Sequence, residues 1–142
     1  MVLTIKEVMD TQIVTAADDL SVHEGAQRMV AARHGFVLLV DQGRPTGIVT
    51  EWDLVEKVVA QGRDPRSLSL GSIATRAVVS CDQNAPTADV IDLMVQRGIR
   101  RMVITDGGKV VGVVGAKDVL RSFRAYVDRI SADISRLQSS FP

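Results

Sequence analysis

The amino-acid sequence predicts an α+β fold in which two tandem β-α-β-β-α repeats, related by pseudo-two-fold symmetry, precede a long C-terminal helix. Three observations lead to this prediction. Residues 8–54 align without a gap onto residues 73–119, and the eight identities include turn glycines and one aspartate before the second helix. Each copy passes from β-rich to helical apolar spacing in the same order. The 142 residues are 46% apolar, which is enough to bury one compact core.

The duplication also defines the predicted domain organisation. We assign residues 1–66 to the first repeat and residues 67–125 to the second, with a helix over residues 118–138 that extends from the second repeat. Each repeat opens with a short β-rich segment, QIVT in the first copy and AVVS in the second. These segments are the predicted first strands.

A helix follows the first strand in each repeat. Ser21 and Glu24 form the pattern of a capping box, and Pro86 occupies a position that a first-turn proline favours. Apolar residues then recur at helical spacing, namely Val22, Ala26, Met29 and Val30 in the first copy and Val90, Met94 and Val95 in the second.

Two further strands complete each predicted sheet. The apolar runs FVLLVD and RMVITD stop at DQGRPTG and DGGKVVG, where Asp and Gly supply the chemistry of a hairpin turn. The return strands are TGIV and VVGVV. A second helix begins beside an aspartate in each copy, which completes the β-α-β-β-α order.

The C-terminal helix is predicted from an apolar stripe with spacings of three and four residues. The stripe consists of Leu120, Phe123, Val127, Ile130, Ile134 and Leu137. About half of it has no partner within two repeats, so the helix either folds back over them or packs on a second chain. We favour a homodimer to which this helix contributes.

The motif GIVTEWDL at residues 47–54 returns as GVVGAKDV at residues 112–119, and it has two interpretations. In the structural one, Thr50 caps a helix and Asp53 completes a capping box. In the functional one, the helix N-terminus suits a phosphate and the carboxylate suits two ribose hydroxyls. Gly115 replaces the threonine in the second copy while Asp118 is retained, and a purely structural pair has less reason to keep the acid alone. The repetition therefore favours two related pockets.

These features together resemble the cystathionine-β-synthase (CBS) domain. The resemblance rests on the duplicated β-α-β-β-α unit, the Asp-Gly hairpins and the series glycine, two apolar residues, Thr, two residues, Asp and an apolar residue. It covers roughly residues 5–125, and two copies resemble the CBS pair, or Bateman module. The resemblance implies a regulatory sensor that binds AMP, ADP, ATP or S-adenosylmethionine in clefts between the repeats. It also implies dimers in which two pairs form a flat disc.

The family pattern also implies the residues of two pockets. The primary pocket would comprise Thr50, Asp53, Ala74, Val79, Ile99, Arg100 and Arg101. The second would comprise Met9, Val14, His34, Gly35 and Asp118. In the primary pocket Thr50 and one or both arginines would meet phosphates, since a planar guanidinium can hold two phosphate oxygens. In the second only His34 could be cationic, so we expect a weaker site that is empty or holds an uncharged nucleoside portion. We expect AMP or ADP first, then ATP, then S-adenosylmethionine.

Other classes of protein fit the sequence less well. The 17 basic and 17 acidic residues balance, which disfavours nucleic acid as a partner. No run approaches the roughly 20 apolar residues of a membrane span, and the N-terminus lacks the apolar core of a leader, so we expect a cytoplasmic protein without a membrane partner. Cys81 is the single cysteine, and with only His23 and His34 as histidines we expect no metal site.

Two functional hypotheses follow. Because no nucleophilic triad or phosphate-binding P-loop motif is present, we expect no enzyme and no catalytic cofactor. The first hypothesis is a regulatory module that binds an adenine nucleotide and signals to an unidentified partner. The alternative is a ligand-free dimerisation adaptor that works through its C-terminal helix. Substitution of Asp53 or Arg100 distinguishes them.

Overall fold

A computed structural model describes residues 3–140 and confirms the predicted α+β fold. A short 3-10 turn at Ile5–Glu7 precedes the first strand, and a π-helical turn at Val55–Val59 continues the second helix. The elements in chain order are β1 (Thr15–Ala16), α1 (Val22–Ala32), β2 (Phe36–Asp41), β3 (Arg44–Thr50), α2 (Glu51–Leu54), α3 (Leu70–Ile73), β4 (Ser80–Asp82), α4 (Thr87–Arg97), β5 (Arg101–Asp106), β6 (Lys109–Gly115) and α5 (Ala116–Ser139).

The strands form two sheets of the same topology, β1-β2-β3 and β4-β5-β6. In each sheet the first strand pairs parallel with the central strand, and the central strand pairs antiparallel with the third. The register of each hairpin shifts at the same place, between Leu39 and Val40 and between Ile104 and Thr105. The two repeats therefore share even a local irregularity.

The first strands are shorter and begin later than predicted. Only two residues of β1 and three of β4 pair with the central strand, whereas the predicted segments began at Gln12 and Ala77. Just before each strand, the carbonyls of Val14 and Val79 still accept hydrogen bonds from the backbone N–H groups of Leu38 and Val103, at 2.9 and 3.2 Å. Side-chain packing holds the residues further upstream. Ile13 and Val78 pack against an apolar cluster that lies between the two sheets.

The ends of the helices follow local sequence signals. Ser21 caps α1 as predicted, and its hydroxyl accepts a hydrogen bond from the backbone N–H of Glu24 at 3.1 Å. Pro86 is the N-cap residue of α4, one position before the first turn in which we expected it. Val30 and Val95, which we placed on the apolar faces, are 77% and 75% exposed. Each lies next to a buried methionine, because the helical stripe is only wide enough to bury one of the two neighbours.

The core is continuous across the two repeats. One apolar cluster belongs mainly to each repeat, and a third lies between the sheets, where Phe36 and Leu38 meet Val103 and Val113. Both sheets thus turn one face toward each other, which brings the C-terminal ends of β3 and β6 close to the opposite repeat.

The segment that leads into each repeat is buried in the core of the other repeat. Leu70 and Ile73 pack in the cluster of the first repeat, and Ile5 and Val8 pack in that of the second. The backbone pairs in the same crossed way, since Asp10 bridges to β6 and Thr75 bridges to β3. The two repeats are therefore interlocked by their leading segments.

The helix α5 runs for 24 residues and projects beyond the sheets. From Phe123 to Ser140 every residue is exposed. Among the helices of residues 3–140, none is long and apolar enough to cross a membrane.

Candidate functional site

The larger cavity lies between the repeats and has a volume of about 780 Å³. We call it the first cavity. Its walls include six of the seven residues predicted for the primary pocket, namely Thr50, Asp53, Val79, Ile99, Arg100 and Arg101. Further lining residues include Glu51, Trp52 and Val78, which were not predicted for either pocket, and Gly35, which was predicted for the second. This volume lies within the range of ~300–1,000 Å³ that is usual for small-molecule sites.

Ala74 is the one predicted primary residue that does not line the first cavity. Its side chain packs against the core of the first repeat. The Cβ of Ala74 would lie 3.2 Å from a Cβ placed on Gly47, so this methyl group fills the space that the glycine leaves. The neighbouring Thr75 lines the cavity in its place.

Asp53 is buried and fully engaged at the start of α2. Its Oδ2 accepts the backbone N–H of Thr50 at 2.8 Å and the Thr50 hydroxyl at 3.1 Å. The backbone N–H of Asp53 donates in return to the Thr50 Oγ1 at 3.3 Å. Its other oxygen, Oδ1, lies 2.9 Å from the Lys57 Nζ. The capping box predicted from the sequence is therefore present, and Oδ1 is the oxygen that the cap does not use.

Asp118 has the same structural role without the threonine. Its Oδ2 accepts the backbone N–H of Gly115 at 2.8 Å, and its Oδ1 lies 3.6 Å from the Arg121 Nη1. Our argument that a structural pair has little reason to keep the acid alone is therefore wrong. The carboxylate caps the strand-to-helix junction by itself, because the bond is made to backbone and not to the missing hydroxyl.

The smaller cavity, here the second cavity, has a volume of about 440 Å³. His34, Gly35 and Asp118 line it as predicted from the family pattern. Met9 and Val14 do not line it, because they pack against the cores of the second and the first repeat respectively.

The prediction that only His34 could be cationic in the second cavity is wrong. Five further basic side chains line it, namely Arg33, Arg100, Arg101, Lys117 and Arg121. The acidic residues of its wall are Asp10 and Asp118, and the His34 Nε2 lies 3.7 Å from the Asp10 Oδ2. Lys117 and Arg121 flank Asp118 on the first turns of α5, so their position beside the motif was a signal that the sequence analysis missed.

Arg100 and Arg101 line both cavities. The guanidinium carbon of Arg101 lies 5.0 Å from the centre of the Phe36 ring, a cation–π contact between equivalent positions of the two repeats. Gly35 keeps this wall open, since a Cβ there would collide with the Glu51 carboxylate and approach the Arg101 Nη2 to 3.3 Å. The arginine pair therefore stands where the two cavities adjoin.

Comparison with protein families gives two matches along the chain. The model of the CBS domain matches residues 5–60 and again residues 70–125. An uncharacterised protein of Methanopyrus kandleri is 30% identical over 138 residues, which are 96% of this chain and 70% of that protein. The CBS domain-containing protein YhcV of Bacillus subtilis is 31% identical over 116 residues, 82% of each chain.

A solved structure with the same fold carries ligands. It is the CBS domain pair of the protein MJ0100 in complex with 5′-methylthioadenosine and S-adenosyl-L-methionine. Its TM-score against this chain is 0.77 at 26% sequence identity, and the match covers 89% of this chain and 99% of the other. Both ligands of that protein contain adenosine.

Proposed function

The chain belongs to the CBS domain family and carries two copies in tandem, and on that premise we propose that it is a regulatory module that binds an adenosine-containing nucleotide between its repeats. The preferred ligands are AMP or ADP, followed by ATP and then S-adenosylmethionine. The ligand biases the arrangement of the repeats, and a partner protein reads that arrangement. The same kind of fold holds adenosine compounds in the MJ0100 pair.

The observation that carries this proposal is the composition of the first cavity. Asp53 of the first repeat and Arg100 and Arg101 of the second line one space of about 780 Å³. The arginines suit the phosphates, and Asp53 suits the ribose, through the Oδ1 that Lys57 now holds at 2.9 Å. Val79 and Ile99 offer apolar surface to the adenine ring.

Signalling is proposed to follow because the residues that would contact the nucleotide come from both repeats. A nucleotide that contacts Asp53 and Arg100 at once bridges the two repeats, so it stabilises arrangements in which these residues lie close. A partner that binds one arrangement better than another then senses the ligand, and it changes the affinity for the ligand by the same factor.

The second cavity is proposed to accept an anionic ligand as well, in place of the uncharged one that we expected. Its five arginine and lysine side chains outnumber its two carboxylates, which supports binding of a phosphate group. Its volume of about 440 Å³ favours a monophosphate over a longer chain.

The test is isothermal titration of the nucleotide-stripped protein with AMP, ADP, ATP and S-adenosylmethionine. We expect saturable binding, with the affinity of the first cavity reduced at least tenfold in an Asp53→Asn variant. Asp118→Asn is the matched control, because it removes the equivalent charge from the other repeat and leaves the first cavity intact. In both variants the amide oxygen can still accept the backbone N–H at the start of the helix, and thermal unfolding checks that both remain folded.

If the folded protein showed no heat of binding with any of the four compounds, the proposed function would be overturned. It would favour the alternative, a ligand-free adaptor that dimerises through its C-terminal helix. One observation supports that alternative: the bonds of Asp53 to Thr50 and Lys57 explain its presence without any ligand. In either case we propose that the chain is a homodimer to which α5 contributes.

A further inference from the structure

The apolar face of α5 repeats with a period of seven residues. Leu120, Val127 and Ile134 occupy the a positions of a heptad, and Phe123, Ile130 and Leu137 occupy the d positions. This a/d pattern is typical of helices that pack along one another through a seam of interlocking side chains. It begins within the second repeat and continues to the end of the helix.

This face is uncovered in the single chain. The exposed fraction of its six side chains ranges from 39% at Ile130 to 66% at Leu120. An isolated helix owes little stability to its own hydrogen bonds, and most helical stability in proteins comes from packing of an amphipathic face. The outer two-thirds of α5 therefore needs a covering surface in order to persist in water.

We propose that the covering surface is α5 of a second copy, packed antiparallel about a two-fold axis that passes between residues 128 and 129. The proposal deepens the homodimer proposed above and rests on it, and it does not depend on nucleotide binding. Antiparallel helices pair each a position with a d position of the partner helix. In this register every a residue meets a d residue, as Leu120 with Leu137, Phe123 with Ile134, and Val127 with Ile130 of the second copy.

The symmetry of this register is the main argument for the second copy. A two-fold axis requires a surface that is complementary to itself. The axis repeats each of the three pairs, which gives six layers. The outer layers pair two large residues, and the central layers pair the β-branched Val127 and Ile130, so no layer is left empty.

The charges on α5 favour the antiparallel direction over the parallel one. The N-terminal half carries Lys117, Arg121 and Arg124 against the single acid Asp118, whereas the C-terminal half carries two acids and two bases. Parallel packing would bring two basic halves together, while antiparallel packing sets each basic half beside a neutral one. Antiparallel packing also places Asp133 beside Tyr126 of the second copy, on the flank of the seam, where the phenol can donate to the carboxylate.

The first experiment measures the mass of the full chain in solution by sedimentation equilibrium. We expect a dimer, and we expect Ile130→Lys to weaken the dimer at least a hundredfold because it sets a charge in the central layer. Ala132→Lys is the control, since it adds the same charge on the opposite side of the helix. A wild-type monomer or trimer, or equal effects of the two substitutions, would overturn the proposal.

The second experiment determines direction and register through disulfide formation in a Cys81→Ser background. Chains with Val127→Cys and with Ile130→Cys are mixed, and the antiparallel register predicts a disulfide between the two different chains in high yield. Ala132→Cys, on the outer face, should cross-link in neither mixture. Efficient cross-linking of Val127→Cys with itself would indicate parallel packing, and it would refute the register.

Nucleotide titration of the same variants separates the two proposals. Ile130→Lys removes no residue that lines either cavity, so nucleotide binding to the resulting monomer is expected to be retained. A stable dimer without nucleotide binding contradicts the proposed ligand alone, and nucleotide binding by a monomeric wild type contradicts the helix pair alone.

Discussion

At the scale of single residues, the repeated aspartate combines a structural and a proposed ligand-binding role. Asp53 and Asp118 both bond to the backbone at the start of a helix, which explains why each copy keeps the acid. The cap uses one oxygen, Oδ2, so the other oxygen is held only by a basic side chain, Lys57 or Arg121. A ribose hydroxyl can compete for that oxygen without loss of the cap.

Arg76 is a second residue that links the repeats. It lies in the leading segment of the second repeat and bonds to residues of the first. Its Nη2 lies 2.6 Å from the Asp18 Oδ2 and donates to the carbonyl of Gly71 at 2.9 Å, and its Nη1 donates to the carbonyl of Thr46 at 3.2 Å. The hydrogen bond from the Arg76 guanidinium lowers the pKa of Asp18 below its ordinary value of 3.8.

The first prediction concerns pH. Because the pKa of Asp18 is lower in the folded than in the unfolded chain, its pairing with Arg76 stabilises the fold above pH 3.8 and is lost as the pH falls through the lowered pKa. Arg76→Gln should therefore lower the melting temperature slightly at pH 7, and the difference from the wild type should shrink below about pH 4. Thermal unfolding at a series of pH values measures this difference. A gap that stays constant down to pH 2 would contradict the prediction.

At the scale of elements, the first helix of each repeat ends at a different type of residue. Helix α4 ends at Gly98 with φ 62°, whereas α1 ends at the equivalent Arg33 with φ 55°. The left-handed backbone conformation is unfavourable for any residue that has a Cβ atom, whereas glycine adopts it without this cost in free energy. Arg33 also lines the second cavity, which offers a functional reason to keep an unfavourable residue at this end.

The second prediction tests this cost. Arg33→Gly should raise the free energy of unfolding by about 1 kcal/mol, because the left-handed conformation is then unstrained. Arg33→Ala is the control, since it removes the same charge but keeps the Cβ. Denaturant unfolding of the three proteins gives the comparison, and equal stability of the glycine and alanine variants would show that the strain is absent.

The elements were largely predictable from the sequence because their signals are local. The cap at Ser21, the Asp-Gly hairpins and the capping box of Thr50 each depend on residues within four positions, and the structure has them where they were predicted. The lining of the second cavity was less predictable. Three of its extra cations, Arg33, Lys117 and Arg121, were not implied by the family pattern, and Arg100 and Arg101 were implied only for the other pocket. These side chains line one cavity only because of how the two repeats pack.

At the scale of the whole molecule, the two repeats form one unit. Leu70 belongs to the second repeat by sequence, yet it is fully buried in the core of the first, where it fills the space beside Gly25. Ile5 is equally buried in the core of the second repeat. The sequence alignment did not reveal this exchange, because a gapless repeat is compatible with each leading segment packing on either core.

The third prediction follows from the exchange. Leu70→Ala removes a fully buried side chain at a contact between the repeats, so it should lower the free energy of unfolding by about 2–5 kcal/mol. The loss should affect both repeats together, since neither core is complete without a segment of the other. Val95→Ala, at a position that is 75% exposed, is the control and should change stability by less than about 0.5 kcal/mol.

Two spectroscopic probes measure whether the two repeats of the Leu70→Ala variant unfold together. The single tryptophan, Trp52, reports on the first repeat, and far-ultraviolet circular dichroism reports on the whole chain. One interlocked unit requires the two denaturation curves to coincide in the variant, as they should in the wild type. If tryptophan fluorescence changed at lower denaturant while much of the dichroism remained, the first repeat would unfold alone. Coincident curves would show that the two repeats unfold as one unit, so that a ligand bound across both repeats, as proposed for the first cavity, would stabilise the entire fold.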